Sequence, residues 1–212
     1  MVKIIMFDLQ GTLVENGVYP SPIKQVKAIL RINAPFSDFV MRFENAFVTK
    51  QHPSLKDAFI AVCEEFQILP KEYIIDKLVG LWNTNKLLAK MYPDVIPALT
   101  ELKSKYKLVL VANIDCFSKD MVERFKLNEY FDKILLSCDA GLLKNNKEFY
   151  TSMIEEYGLP PEDMVMVGDS IESDMNTARD LGIKGILVDR KNRREFTPKV
   201  LLLTELSEKI LE

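Results

Sequence analysis

The chain has 212 residues, a formal net charge of −3 and three cysteines. So mild an acidic balance offers no electrostatic handle to nucleic acid or an anionic membrane surface, and no apolar run reaches membrane-spanning length, so neither partner is expected. Cys63, Cys116 and Cys138 are scattered and form no CxxC pair, which excludes a zinc knuckle or disulfide framework. With the first strand starting at once and no leader ahead of it, a reducing cytoplasm is the expected setting.

In chain order, the first element is an apolar run from Val2 to Phe7, broken only by Lys3, which reads as a buried parallel strand. It ends at Asp8, and Gly11 then lets the backbone turn sharply. Acids at the carboxyl ends of strands stand where open α/β sheets gather their sites. A carboxylate there serves as nucleophile, metal ligand or both.

A polar segment, Glu15 to Pro22, follows, and the pattern then turns helical from about Ile23 to Met91. Apolar faces recur at Ile23–Leu30 and Phe39–Phe47; Ser54-Leu-Lys-Asp57 resembles a capping box opening a third helix, and Pro70 introduces a fourth. A small helical bundle with its own core is expected. From Pro93 onward, strands at 108–111, 133–136, 164–167 and 185–188 alternate with helices at 93–105, 118–125, 148–157 and 171–181, with a last helix over 201–211. That rhythm predicts a doubly wound parallel sheet, an α/β domain made of residues 1–15 and 92–212, with residues 16–91 inserted as an all-helical unit.

Three further stretches carry chemistry. Val167-Gly-Asp169 puts a second acid at a strand end, and Asp174 follows at the start of the next helix. Asp174 either stabilises the positive end of that helix or joins a metal site. Three oxygen donors converging at one edge suit magnesium. Lys144, in a strand-to-helix loop, is a solvated charge unless it lies beside Asp8 and Asp169, where it offsets carboxylate repulsion and meets a phosphate. Ala112-Asn113 ends another strand, where backbone N–H groups hold phosphate oxygens.

Strand-Asp, strand-Ala-Asn, loop-Lys and strand-Gly-Asp-x4-Asp, in that order, resemble the haloacid dehalogenase-like hydrolase superfamily. The resemblance is nearest its phosphoglycolate phosphatase-like branch with a helical cap, and it covers essentially the whole chain. It implies a Rossmann-like core and a hydrolase acting on a small phosphorylated metabolite, as monomer or homodimer. It implies that Asp8 attacks phosphorus and becomes a phospho-aspartate. Magnesium would be held by Asp8, the Gln10 main-chain carbonyl, Asp169 and Asp174. Lys144 would stabilise nucleophile and phosphoryl group, with Gly11, Ala112 and Asn113 beside the phosphate. Substrate contacts are expected from the cap at Arg42, Asn45 and Trp82, with Lys50 and Asn85 as further candidates.

Three departures from the family pattern matter. Gln10 stands where the family's phosphatases usually carry a second Asp, which protonates the leaving oxygen and then activates water, a contribution of about 10²–10⁴-fold. Gln10 hydrogen-bonds but does not exchange a proton in this way. Ala112 replaces a Ser or Thr, and loss of one such donor costs roughly 10²–10³ in rate. Asn145-Asn146 lacks the prolines usual after the lysine. The reading is therefore a magnesium-dependent phosphatase slowed by Gln10. The alternatives are a catalytically impaired phosphometabolite-binding or regulatory protein and, more remotely, a dehalogenase-like hydrolase.

Overall fold

The computed structural model describes residues 2–211. Its centre is a six-stranded sheet in the order β5-β4-β1-β6-β7-β8, with every described pairing parallel. In chain order the strands are β1 (Ile4–Phe7), β4 (Lys107–Ala112), β5 (Lys133–Leu136), β6 (Met164–Gly168), β7 (Lys184–Val188) and β8 (Lys199–Val200). A second, two-stranded antiparallel pair joins β2 (Val14–Glu15) to β3 (Lys90–Met91). The helices are α1 (Pro22–Ile29), α2 (Phe36–Phe47), α3 (Leu55–Glu65), α4 (Glu72–Leu88), α5 (Val95–Lys103), α6 (Asp120–Arg124), α7 (Ser137–Ala140), α8 (Glu148–Tyr157), α9 (Asn176–Leu181) and α10 (Leu206–Leu211).

The strands read as continuous apolar runs because both faces of the sheet are covered. Successive side chains of a strand point to opposite faces. Ile5, Phe7, Leu108, Leu110, Val165 and Val167 accordingly join one apolar cluster, with Val95, Leu99 and Leu206. Their neighbours Ile4, Met6, Val109, Val111, Met164 and Met166 join the other, with Phe149, Met153 and Ala178. The chain runs outward from β1 through β4 to β5, then crosses to β6 on β1's other side. This reversal is the topological switch point at which such sheets bind ligands. Asp8 follows directly from β1 there, its N–H donating to the Val167 carbonyl at 2.9 Å.

Helices α1 to α4 bury a cluster of their own, in which Phe43, Phe47 and Phe59 surround Trp82 with ring centroids 4.7–5.8 Å from it. Ser54 caps α3, its Oγ accepting the Asp57 N–H at 3.2 Å and donating to the Asp57 carboxylate at 2.6 Å. The β2–β3 pair closes the base of this bundle, and Gly17 N–H and Val18 N–H both donate to Asn85 Oδ1. Side chains also tie bundle to sheet domain. Trp82 Nε1 donates to Asp115 at 2.9 Å, Gln51 Nε2 to the Cys138 carbonyl at 2.6 Å, and Ser137 Oγ to the Val48 carbonyl at 2.9 Å.

Several elements differ from the sequence expectation. The fourth helix begins at Glu72, because Pro70 precedes the helix and Lys71 is its cap. The segment expected as one helix over 171–181 opens with a π-helical turn, Ile171–Met175, before α9. The last helix starts only at Leu206, after a 3-10 turn at Leu203–Glu205. Strand β8 has two residues, too short to show alternation.

Arg190, in the loop after β7, pins three segments together. Its Nη1 reaches both Asp94 oxygens at 2.8 and 2.6 Å, Nη2 donates to the Thr12 carbonyl at 2.6 Å, and the guanidinium lies 4.1 Å from the Tyr92 ring centroid. Both members of the ion pair are nearly buried. Arg190→Met leaves Asp94 without its cation, and the expected loss is about 3–5 kcal/mol of unfolding free energy, read by urea denaturation.

Candidate active site

The carboxyl edges of β1, β4 and β6 bring Asp8, Asn113 and Asp169 together, and the loop between α7 and α8 adds Lys144, a short helix intervening where a single strand-to-helix loop is expected. Asp8 is buried; Thr12 Oγ1 donates to its Oδ2 at 3.1 Å and Lys144 Nζ donates to its Oδ1. The same ammonium lies 2.7 Å from Asp174 Oδ1, and all three side chains are nearly inaccessible. Asp174 Oδ2 accepts the Ser170 N–H at 2.9 Å, so the π-helical turn aims this acid back at the strand end. A β-carbon at Gly168 would overlap the Asp174 carboxylate, and one at Gly11, where φ is +88°, would overlap that of Asp169. Both glycines are therefore required by the close packing of the acids.

Asp8, Asp169 and Asp174 place one oxygen each within 4.8 Å of one another. When all are ionised, three carboxylates face one buried ammonium, leaving two negative charges uncompensated nearby. Arg194 Nη2 stands 3.8 Å from Asp169 and is largely exposed, so it offsets little of this. Burial, and then the neighbouring acids, push Asp8 up to about 6 despite Lys144 and push Asp169 up to about 7. Lys144 is held well above its ordinary value by Asp174 and Asp8 in spite of its burial, so it stays charged. An all-oxygen donor set with this deficit fits a divalent hard cation.

The remaining expectations divide. Asn113 links the site: its Oδ1 accepts the Lys144 backbone N–H at 2.9 Å and its Nδ2 donates to Glu44 Oε2 at 2.9 Å. Ala112 is buried, and the Ile114 N–H two residues on donates to Ser137 Oγ at 2.9 Å, so that donor is not free for phosphate. The Gln10 side chain is part-exposed and makes no side-chain hydrogen bond among the described residues. From the bundle, Arg42 turns away, pairing with Glu65 at 2.7 Å and stacking on Phe66. Asn45 and Lys50 are exposed, Trp82 lies in the aromatic cluster, and Asn85 is bound to Gly17. These five side chains are held by bundle packing or face solvent. His52 is half-buried against the Ala46 carbonyl at 3.0 Å.

Glu44 is the bundle residue that reaches the site, and sequence reasoning does not single it out. Its signal lies in the helical period: Val40, Glu44 and Val48 share one face, and the Val48 carbonyl is the one bound by Ser137. Thr12 and Tyr150 escape sequence reasoning as well. The Tyr150 hydroxyl is buried without a hydrogen-bond partner among the described residues, and burial raises its ionisation further beyond reach.

Asp8 and Asp169 retain protons in the folded state above the ordinary carboxylate value of 3.8, whereas the unfolded chain has released them. Stability therefore falls as pH rises from about 4 to about 7. In EDTA, melting temperature is expected to decline across that window, and Asp169→Asn to flatten the decline.

The family model for haloacid dehalogenase-like hydrolases matches residues 2–182. A glyceraldehyde 3-phosphate phosphatase of Methanothermobacter thermautotrophicus is 29% identical over 195 residues, spanning 89% of this chain and 86% of the relative. A phosphoglycolate phosphatase of Aquifex aeolicus is 27% identical over 190 residues, spanning 88% and 84%. The crystal structure of a haloacid dehalogenase-like family hydrolase from Xanthomonas campestris superposes with a TM-score of 0.69 at 18% identity, covering 99% of this chain and 95% of that one, a likeness of fold. With the match extending over most of the chain and the acids and lysine gathered at one sheet edge, this protein belongs to the haloacid dehalogenase-like hydrolase family.

Proposed function

We propose that the protein is a magnesium-dependent phosphatase of a small phosphorylated metabolite, with Asp8 as nucleophile. The observation that carries this reading is the Asp8–Lys144–Asp174 cluster, with Asp169 beside it, at the switch point of the sheet. The phosphatase names of the relatives support the substrate class.

Asp8 attacks phosphorus through a carboxylate oxygen, and the leaving oxygen departs with its bonding electrons. Lys144 and Thr12 orient Asp8 from two sides, and the ammonium offsets charge on the transferring group. Asn113 stands beside the phosphoryl position, its amide donating to Glu44 Oε2 and its Oδ1 accepting the Lys144 backbone N–H. Asp8, Asp169, Asp174 and the Gln10 carbonyl would hold magnesium, which when bound neutralises phosphoryl charge and lets Asp8 stay ionised. We assign residues 16–91 as the cap and residues 1–15 with 92–212 as the core. The contacts from Trp82, Gln51 and Val48 to the core support closure of the bundle over the site.

Gln10 and Ala112 favour a second reading, a phosphometabolite binder without turnover. Incubation with magnesium and a panel of small phosphate esters, followed by measurement of free phosphate and intact mass, separates the two. The expected result is released phosphate that Asp8→Asn abolishes; ligand-induced stabilisation with neither phosphate nor adduct would favour the binder. Magnesium is also expected to raise the melting temperature of the unmodified protein but not of Asp169→Ala.

A further inference from the structure

Gln10 cannot exchange a proton as the family's residue at that position does, yet an acid of the bundle reaches the site at Asn113. Glu44 projects from α2 and is anchored through one oxygen, Oε2, by Asn113 Nδ2. Asn113 is in turn fixed by the Lys144 backbone N–H. The other oxygen, Oε1, has no hydrogen-bond partner among the described residues. Lys144, Asp8 and Asp174 act on the Glu44 carboxylate through their charge. Burial raises the carboxyl above its ordinary value against the pull of Lys144 and the Asn113 amide, and Asp8 and Asp174 add to the rise.

Other acids in and around the site are committed. Asp174 is held by Lys144 and Ser170, and Asp115 by Trp82, Ser118 and the Phe117 N–H. Asp8 and Asp169 belong to the cation cluster. Glu44 is the acid that combines a fixed oxygen, a free oxygen and a position over the phosphate-binding Asn113.

We infer that Glu44 is the general acid and base of the reaction, supplied by the bundle in place of the residue that Gln10 replaces. The inference rests on the phosphatase reading of the same site. As Asp8 bonds to phosphorus, the bond from phosphorus to the leaving oxygen breaks, its electron pair stays on that oxygen, and the oxygen takes the Glu44 proton. Water then enters. The Glu44 carboxylate takes a proton from it, the water oxygen bonds to phosphorus, and the phosphorus–Asp8 bond returns its pair to Asp8. Inorganic phosphate leaves and Glu44 is again protonated. Because the acid is carried by the bundle, proton transfer is available only when bundle and sheet domain are closed on each other.

Glu44→Gln keeps the shape and the acceptor for Asn113 but not the proton. The test compares kcat/KM, which reads the steps through leaving-group departure, for an alkyl phosphate and for 4-nitrophenyl phosphate. An alkoxide needs a proton to leave; 4-nitrophenolate does not. Glu44→Gln is expected to cut kcat/KM for the alkyl ester by roughly 10²–10⁴-fold and to leave the aryl ester much less affected. Gln10→Asp in the Glu44→Gln background is expected to recover a large part of the alkyl activity. Equal losses on both esters would mean that Glu44 only positions the bundle, and unchanged values would mean that it takes no part; either overturns the inference while leaving the phosphatase reading intact. Full activity in Asp8→Asn would overturn both.

Discussion

One buried ammonium holds two carboxylates at the end of the central strand, and a third carboxylate stands beside them. Three negative charges against one positive charge make a stable arrangement only because Lys144 is fully enclosed and bonded to both Asp8 and Asp174. Much of the local backbone serves that packing. Gly11 and Gly168 remove the β-carbons that would collide with Asp169 and Asp174, and the π-helical turn after β6 swings Asp174 inward. This charge crowding, with burial, holds the Asp8 and Asp169 carboxyls above their ordinary value.

The helical bundle meets this edge through polar contacts and a small apolar patch. Trp82 serves both, its ring in the bundle core and its N–H on Asp115 of the sheet domain. Ser137 stands at a similar junction, donating to Val48 in the bundle while accepting from Ile114 after β4. The same closure brings Glu44 to Asn113. A side chain that is an ordinary surface acid on an isolated helix becomes, in this structure, a neighbour of Asn113 at the sheet edge.

Most of the sheet domain is legible in the sequence because its strands are buried on both faces. Short unbroken apolar runs such as Leu108–Val111 and Met164–Val167 fit a doubly covered strand better than a helix, which needs greater length. The two-residue strands are not legible, since Lys199–Val200 and the β2–β3 pair are too short to carry a period. The last helix reads too long from the sequence because Leu201, Leu202 and Leu203 continue an apolar pattern that the backbone meets as a 3-10 turn. Among the residues that meet at this edge, Asp8, Asn113, Lys144, Asp169 and Asp174 stand out in the sequence because they follow strand ends or the loops after them. The bundle candidates fare differently: Arg42, Asn45 and Trp82 stand out by residue type, and residue type does not say which face of a helix looks at the site.

The sequence by itself determined the alternation of strands and helices, the inserted helical unit and the order in which acids and lysine reach the sheet edge, because periodicity and strand termini are local properties of the chain. Only the tertiary structure decided which charges share an ammonium, which backbone donors remain for a ligand, and which acid the bundle presents. Those depend on the angle at which two separately packed units meet, and no local pattern encodes it. Gln10 looks like a missing function in the sequence; the fold brings Glu44 to Asn113 at the same sheet edge.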